Sequence, residues 1–210
     1  MSGQRPAIMP SLARMKRLCI YCGSSPGSRP EYATAAQACG RILADRGIGI
    51  VYGGGNTGMM GRVANAALEA KGEVIGVIPH HLADKELAHD GATQMIRVNS
   101  MHERKQMMAD LSDGFIILPG GIGTLEELFE TFTWLQLGLH GKPIGLLNVE
   151  GFFDHMLAFL DHMVADRFLK AEHRAMLIVD DRMDNLLERM TAFVAPDANK
   201  WLDTVAKELR

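Results

Sequence analysis

No apolar run in this chain reaches the roughly 18 residues that a membrane-spanning helix requires. An excess of basic charge is missing too. Twenty-two Lys and Arg stand against 25 Asp and Glu, for a formal net charge of -3. Binding to nucleic acid by counterion release draws on a basic surface, so this balance argues against a nucleic-acid partner. Cysteine is scarce, with three residues at positions 19, 22 and 39. Cys19 and Cys22 form a C-x-x-C inside "RLCIYCG", but no second pair completes a zinc site. Positions three apart on a strand face opposite sides, so all three are read as structural thiols. The eight histidines contain no H-E-x-x-H. His80, His81 and His89 are read as solvated loop residues rather than metal ligands. There is no internal repeat, low-complexity tract or long linker.

What remains is an ordinary globular composition, 47% hydrophobic and 22% charged over 210 residues, enough for one domain with a sizeable core. The 14 methionines sit mostly at helical spacing and read as core filler. The start, "MSGQRPAIMPSLARMK", is basic without a continuous apolar core. It is expected to be a disordered extension over residues 1–15 rather than a signal peptide. A cytoplasmic location is expected. The domain is placed at 16–194, and "APDANKWLDTVAKELR" at 195–210 reads as a helical tail.

Short apolar runs alternate with amphipathic stretches. Strands are predicted near 16–22, 48–52, 73–78, 94–98, 114–118, 143–148 and 176–180. Helices are predicted near 30–46, 58–71, 100–111, 124–139, 153–167 and 183–193. Runs such as "GFIILP" and "PIGLLNV" are apolar on both faces, as in a parallel sheet covered on both sides. The alternation predicts an α/β fold, a single doubly wound Rossmann-like domain with a mainly parallel sheet. The segment 80–93 reads as a surface loop, with a short helix or as a mobile cover over a site.

In such sheets ligands gather beyond the carboxyl ends of the strands. Three glycine-bearing loops fall there: "CGSSPGS", "YGGGNTGMMG" and "PGGIGTLEE". Glycine lets backbone N–H groups approach an anion, and a following helix N-terminus adds partial positive charge. Gly54, Gly55 and Gly120 are therefore phosphate-loop candidates. Neither a Walker A ending nor G-x-G-x-x-G is present, because Glu126 stands where the third glycine belongs. Two such loops still suggest a phosphorylated small molecule.

Two glutamates follow the last loop. Thr124-x-x-Glu127 matches a capping box, which makes Glu127 structural. A carboxylate beside an anion site can instead act on the group attached to the phosphate. Leu125, Leu128, Phe129, Phe132 and Leu135 are spaced for the buried face of this helix. In "NSMHERKQMMADLSD", Ser100-x-x-Glu103 is a second capping box. Arg104 and Lys105 then share the apolar sector of Met101, Met108 and Leu111. Two cations among apolar groups require partners. They either snorkel at the core edge or face an anionic ligand or a carboxylate such as Glu127.

Together, "CGSSPG", "GGGNTGMMG", "MHERK" and "PGGIGTLEE" resemble the Lonely Guy family of cytokinin riboside 5′-monophosphate phosphoribohydrolases. The resemblance spans residues 16 to 192. It implies hydrolysis of the N-glycosidic bond of adenosine monophosphate or its N6-prenylated forms, to free base and ribose 5-phosphate, with water and without metal or cofactor. It implies Arg104 and Glu127 as the catalytic pair. It carries substrate contacts over to Glu86, Arg104, Lys105, the run Gly121, Ile122, Gly123, Thr124 to Glu127, and Thr133. Ile122 replaces an aromatic common in the family, and the loop around Glu86 departs from the usual form; both departures bear on base selectivity. Six residues separate Glu127 from Thr133, roughly 240° around a helix, so one ligand hardly reaches both within one chain. A homodimer with sites at its interface is the implied assembly. The competing readings are a nucleotide-binding regulator without catalysis and a glycosidase acting on another nucleoside monophosphate.

Overall fold

The computed structural model describes residues 15–83 and 88–196. All seven expected strands form: β1 (Arg17–Tyr21), β2 (Gly49–Tyr52), β3 (Val74–Pro79), β4 (Gln94–Val98), β5 (Phe115–Ile117), β6 (Ile144–Leu147) and β7 (Leu177–Asp180). They make one sheet in the order β4-β3-β2-β1-β5-β6-β7, with every pairing parallel. The six expected helices are α1 (Pro30–Asp45), α2 (Gly58–Glu69), α4 (Met101–Asp110), α5 (Ile122–Gln136), α6 (Asp154–Ala165) and α8 (Met183–Thr191). Two further helices of four residues each, α3 (His80–Ala83) and α7 (Ala171–Arg174), lie between them. Among the described residues no helix is long and apolar enough to cross a membrane.

Strand alternation divides the apolar residues between two cores. Leu18 and Ile20 of β1 pack with Leu43 of α1, Val63 of α2 and Leu186 of α8. Cys19 and Tyr21 face the other way, with Met108 of α4, Leu128 of α5 and Leu160 of α6. Cys22 joins the first core, so the C-x-x-C spans both faces, and all three thiols are free and buried. Met15 is also buried in the first core, so packed structure begins one residue inside the expected extension. Of the C-terminal tail, all but its first two residues lie outside the described residues.

Two expectations need correction. His89 is buried, not solvated. Its Nδ1 accepts from the Gly91 N–H at 3.1 Å, which leaves Nε2 as the donor to Asn65 Oδ1 at 3.0 Å. On α5 the buried stripe is Thr124, Leu128, Thr131, Phe132 and Leu135. It is rotated from the apolar pattern, because Thr131 satisfies its hydroxyl on the helix carbonyls of Glu127 and Leu128. Phe129 is left 37% exposed.

Strand order reverses direction between β1 and β5. That is the switch point at which an open α/β sheet leaves a crevice. Tyr21 and Ile117 pair in register at the ends of these two strands, so their following loops leave the sheet at one level.

Candidate active site

Three loops converge above the switch point. The Gly23 N–H donates to Pro119 O at 3.1 Å, and Gly23 O accepts from the Met59 N–H at 3.0 Å. The start of α2 is thereby drawn against the loop after β1. Gly58 there has φ +58, and a Cβ on it would lie 2.1 Å from Ser24 O. Only glycine serves both requirements.

A cavity of about 360 Å³ opens at this junction. Arg104, Gly121, Ile122, Gly123, Thr124 and Glu127 all line it. The catalytic pair and the glycine run expected from the sequence are thus brought together.

The first turn of α5 differs from expectation. The helix begins at Ile122 with Gly121 as N-cap and no side-chain cap, so the Thr124–Glu127 capping box does not form. Thr124 is buried, and its Oγ1 lies 2.1 Å from where a Gly120 Cβ would stand. The missing side chain at 120 draws Thr124 inward and starts the helix earlier. The amide groups that a helix cannot satisfy in its own first turn therefore open on the cavity. A Cβ at Gly121 or Gly123 would meet nothing within 4 Å, so a bound group can approach the backbone there.

Arg104 comes from α4. Ser100 caps that helix as expected, accepting from the Glu103 N–H at 3.1 Å, while Glu103 Oε2 accepts from the Asn99 N–H at 2.7 Å. The return bond reaches one residue further back than in a simple capping box. The Arg104 side chain is buried against the strand ends. Its Nε donates to Val77 O at 3.1 Å and its Nη2 to Gly53 O at 2.8 Å. These bonds hold the guanidinium at the wall of the cavity. Gly53 makes this seat possible, since a Cβ there would lie 2.1 Å from Nη2. Sequence reasoning noticed Gly53 only as part of a glycine run.

Lys105 is one residue further round α4 and does not line the cavity. Its ammonium contacts Glu126 Oε1 and lies 3.0 Å from Glu130 Oε2. The carboxylate partners of this cation are Glu126 and Glu130; the sequence had offered Glu127 as one example of such a carboxylate. A glutamate pair four apart on α5 was the available signal. Thr133 is exposed, donates to its own helix at Phe129 O, 2.7 Å away, and does not line the cavity of its own chain. Gly54 O accepts from the His89 N–H and Gly55 bridges to Ala88; neither glycine lines this cavity. Gly120 lines an adjoining cavity of about 220 Å³ with Tyr32 and Phe152. Glu86 lies outside the described residues.

A family model described as possible lysine decarboxylase matches residues 60–190. The chain is 46% identical over 182 residues to a probable cytokinin riboside 5′-monophosphate phosphoribohydrolase of Oryza sativa subsp. japonica, covering 87% of this chain and 80% of that one. It is 46% identical over 181 residues to a cytokinin riboside 5′-monophosphate phosphoribohydrolase of Arabidopsis thaliana, covering 86% and 79%. The chain belongs to the Lonely Guy (LOG) family. The fold of this LOG protein extends further. It is similar to the molybdenum cofactor carrier protein of Chlamydomonas reinhardtii, with a TM-score of 0.64 at 19% identity over 84% of this chain and 96% of that one. At that identity the likeness concerns fold alone.

Cys22 lines the LOG cavity with Glu127, while Cys19 and Tyr21 are buried nearby in the second core. Burial raises all three above their ordinary ranges, and the charge of Glu127 adds to the effect. These three groups therefore stay neutral. One cavity thus combines an uncapped helix start, an arginine held by carbonyls and a carboxylate.

Proposed function

We propose that this LOG protein hydrolyses the N-glycosidic bond of adenosine 5′-monophosphate and its N6-prenylated forms, releasing free base and ribose 5-phosphate. The observation that carries the reading is that the uncapped start of α5, Arg104 and Glu127 open on one cavity. The 5′-phosphate takes the amide groups of residues 121–124. Glu127 follows about 7 Å along the helix axis, a span comparable with ribose 5-phosphate. Breaking the bond between C1′ and the base builds positive charge on the sugar. The Glu127 carboxylate stabilises that charge and accepts a proton from the water whose oxygen bonds to C1′. The bond electrons leave with the base, which takes up a proton. Arg104 supplies fixed positive charge against the anionic substrate.

The same reading includes a homodimer with sites at its interface, set in the cytoplasm. Ile122, Phe129, Thr133 and Leu137 share one exposed side of α5. A second copy covering that apolar stripe would bring its own Thr133 towards the cavity mouth, where Ile122 stands. Phe129→Glu is expected to yield monomers in sedimentation, with lower turnover; an active monomeric wild type would defeat the assembly.

The deciding experiment incubates the protein with adenosine monophosphate and with its isopentenyl form, and measures free base and ribose 5-phosphate. Glu127→Gln is expected to keep nucleotide binding and lose about 10²- to 10⁴-fold in turnover. Binding without release by the wild type would favour a regulator. Undiminished turnover in Glu127→Gln would remove Glu127 from the chemistry.

A further inference from the structure

Glu127 has two carboxylate neighbours on its own helix, Glu126 and Glu130. Glu130, three residues on, is at a spacing where like charges repel, and Glu126 lines the same cavity as Glu127. The groups around Glu127 come from three elements. Arg104 of α4, Glu126 of α5 and Cys22 beyond β1 line the same cavity, Cys19 and Tyr21 of β1 are buried near it in neutral form, and Lys105 of α4 joins Glu126 to Glu130 in an ion cluster beside it. Two cations therefore stand against three carboxylates. Arg104 is seated on the carbonyls of Val77 and Gly53 at the cavity. Lys105 is turned away from the cavity lining, with a side chain only 7% exposed, and its ammonium lies between Glu126 and Glu130. A buried ammonium between two carboxylates offsets its own desolvation and their mutual repulsion.

We infer that Lys105 is a positioning residue for Glu127: clamped between Glu126 and Glu130, it cancels the charge flanking Glu127 and ties α4 to the first turns of α5, so that Glu127 stays ionised and aimed into the cavity. This role rests on the reading of Glu127 as the reacting carboxylate. It differs from the direct substrate contact implied for Lys105 by family resemblance, and the two roles give different results.

The test follows the Glu127 carboxyl carbon by NMR in glutamate-labelled protein, assigned by its absence in Glu127→Gln. Removing the cation leaves the flanking negative charges unopposed, which favours the neutral acid and raises its titration point. In Lys105→Met, Glu127 is expected to titrate about one pH unit higher than in wild type. Lys105→Arg should hold it near the wild-type position. Combining Lys105→Met with Glu126→Gln and Glu130→Gln should bring it back. In turnover, the acidic limb of kcat/KM should move to higher pH by the same amount in Lys105→Met, while KM for adenosine monophosphate at neutral pH changes by less than about threefold. An unmoved Glu127 titration in Lys105→Met would overturn the inference. So would a KM raised about tenfold or more with the acidic limb in place, the mark of a lost substrate contact. If the wild type releases no base, the proposed function falls, and the carboxyl titration still decides the positioning role.

Discussion

In the loop after β2, the space beside the glycines is already occupied by protein. Gly53 carries the Arg104 guanidinium, Gly58 lies against Ser24 O, and a Cβ on Gly61 would stand 2.4 Å from Asn56 O. In the loop after β5, Gly120 makes room for Thr124, but Gly121 and Gly123 face open space. Both loops end a strand, precede a helix and are rich in glycine. The first is a seat for an arginine and a brace between loops. The second is a vacant cradle. Glycine count does not separate the two; what fills the absent side chain does. Vacancy marks where a ligand can approach the backbone, whereas occupancy marks packing of the chain on itself.

Substitutions at matched positions would break this contrast. Gly53→Ala is expected to have the largest effect, because its Cβ must displace the Arg104 guanidinium. Misplacing a group by about 1 Å costs about 100-fold in rate. Turnover assays and thermal melts should show loss of both activity and stability. Gly121→Ala should leave the melting temperature in place and weaken nucleotide binding about tenfold, the worth of one charge-assisted hydrogen bond. Calorimetric titration with adenosine monophosphate measures it. A stable, fully active Gly53→Ala beside an unfolded Gly121→Ala would reverse the assignment of the loops. The smallest effect sharpens the first side of the comparison. Ser100→Ala removes the cap of the helix that delivers Arg104. It should cost about 1 kcal/mol, read as a drop of about 2–4 °C in melting temperature, with nucleotide affinity retained.

Much of this arrangement was readable before any tertiary information. The strands were legible because runs such as "GFIILP" are apolar on both faces, and the longer helices because their apolar positions recur at helical spacing. Helix α7 was not predicted, since four residues carry no periodic signal, and α3 was expected only as a short helix somewhere within 80–93. The Ser100 cap was legible because its bonds are local. The Thr124 cap was misread, although it has the same pattern, because Thr124 is claimed by the gap at Gly120 and the helix starts two residues earlier. Arg104 and Lys105 were legible as cations needing partners. Which glutamates meet Lys105 was not, because that depends on how α4 lies across α5.

The sequence by itself determined the alternation of strands and helices, the parallel sheet class, the positions of the glycine loops and the family motifs carrying Arg104 and Glu127. These properties are set by interactions within a few residues along the chain, or by the pattern of apolar side chains. The tertiary structure alone decided that β5 lies beside β1, that Gly53 becomes the seat of an arginine from α4, and that Lys105 is held by Glu126 and Glu130. Those outcomes follow from burying both faces of one sheet at once, which fixes strand order and helix placement together. Residues from five separate segments then share one cavity.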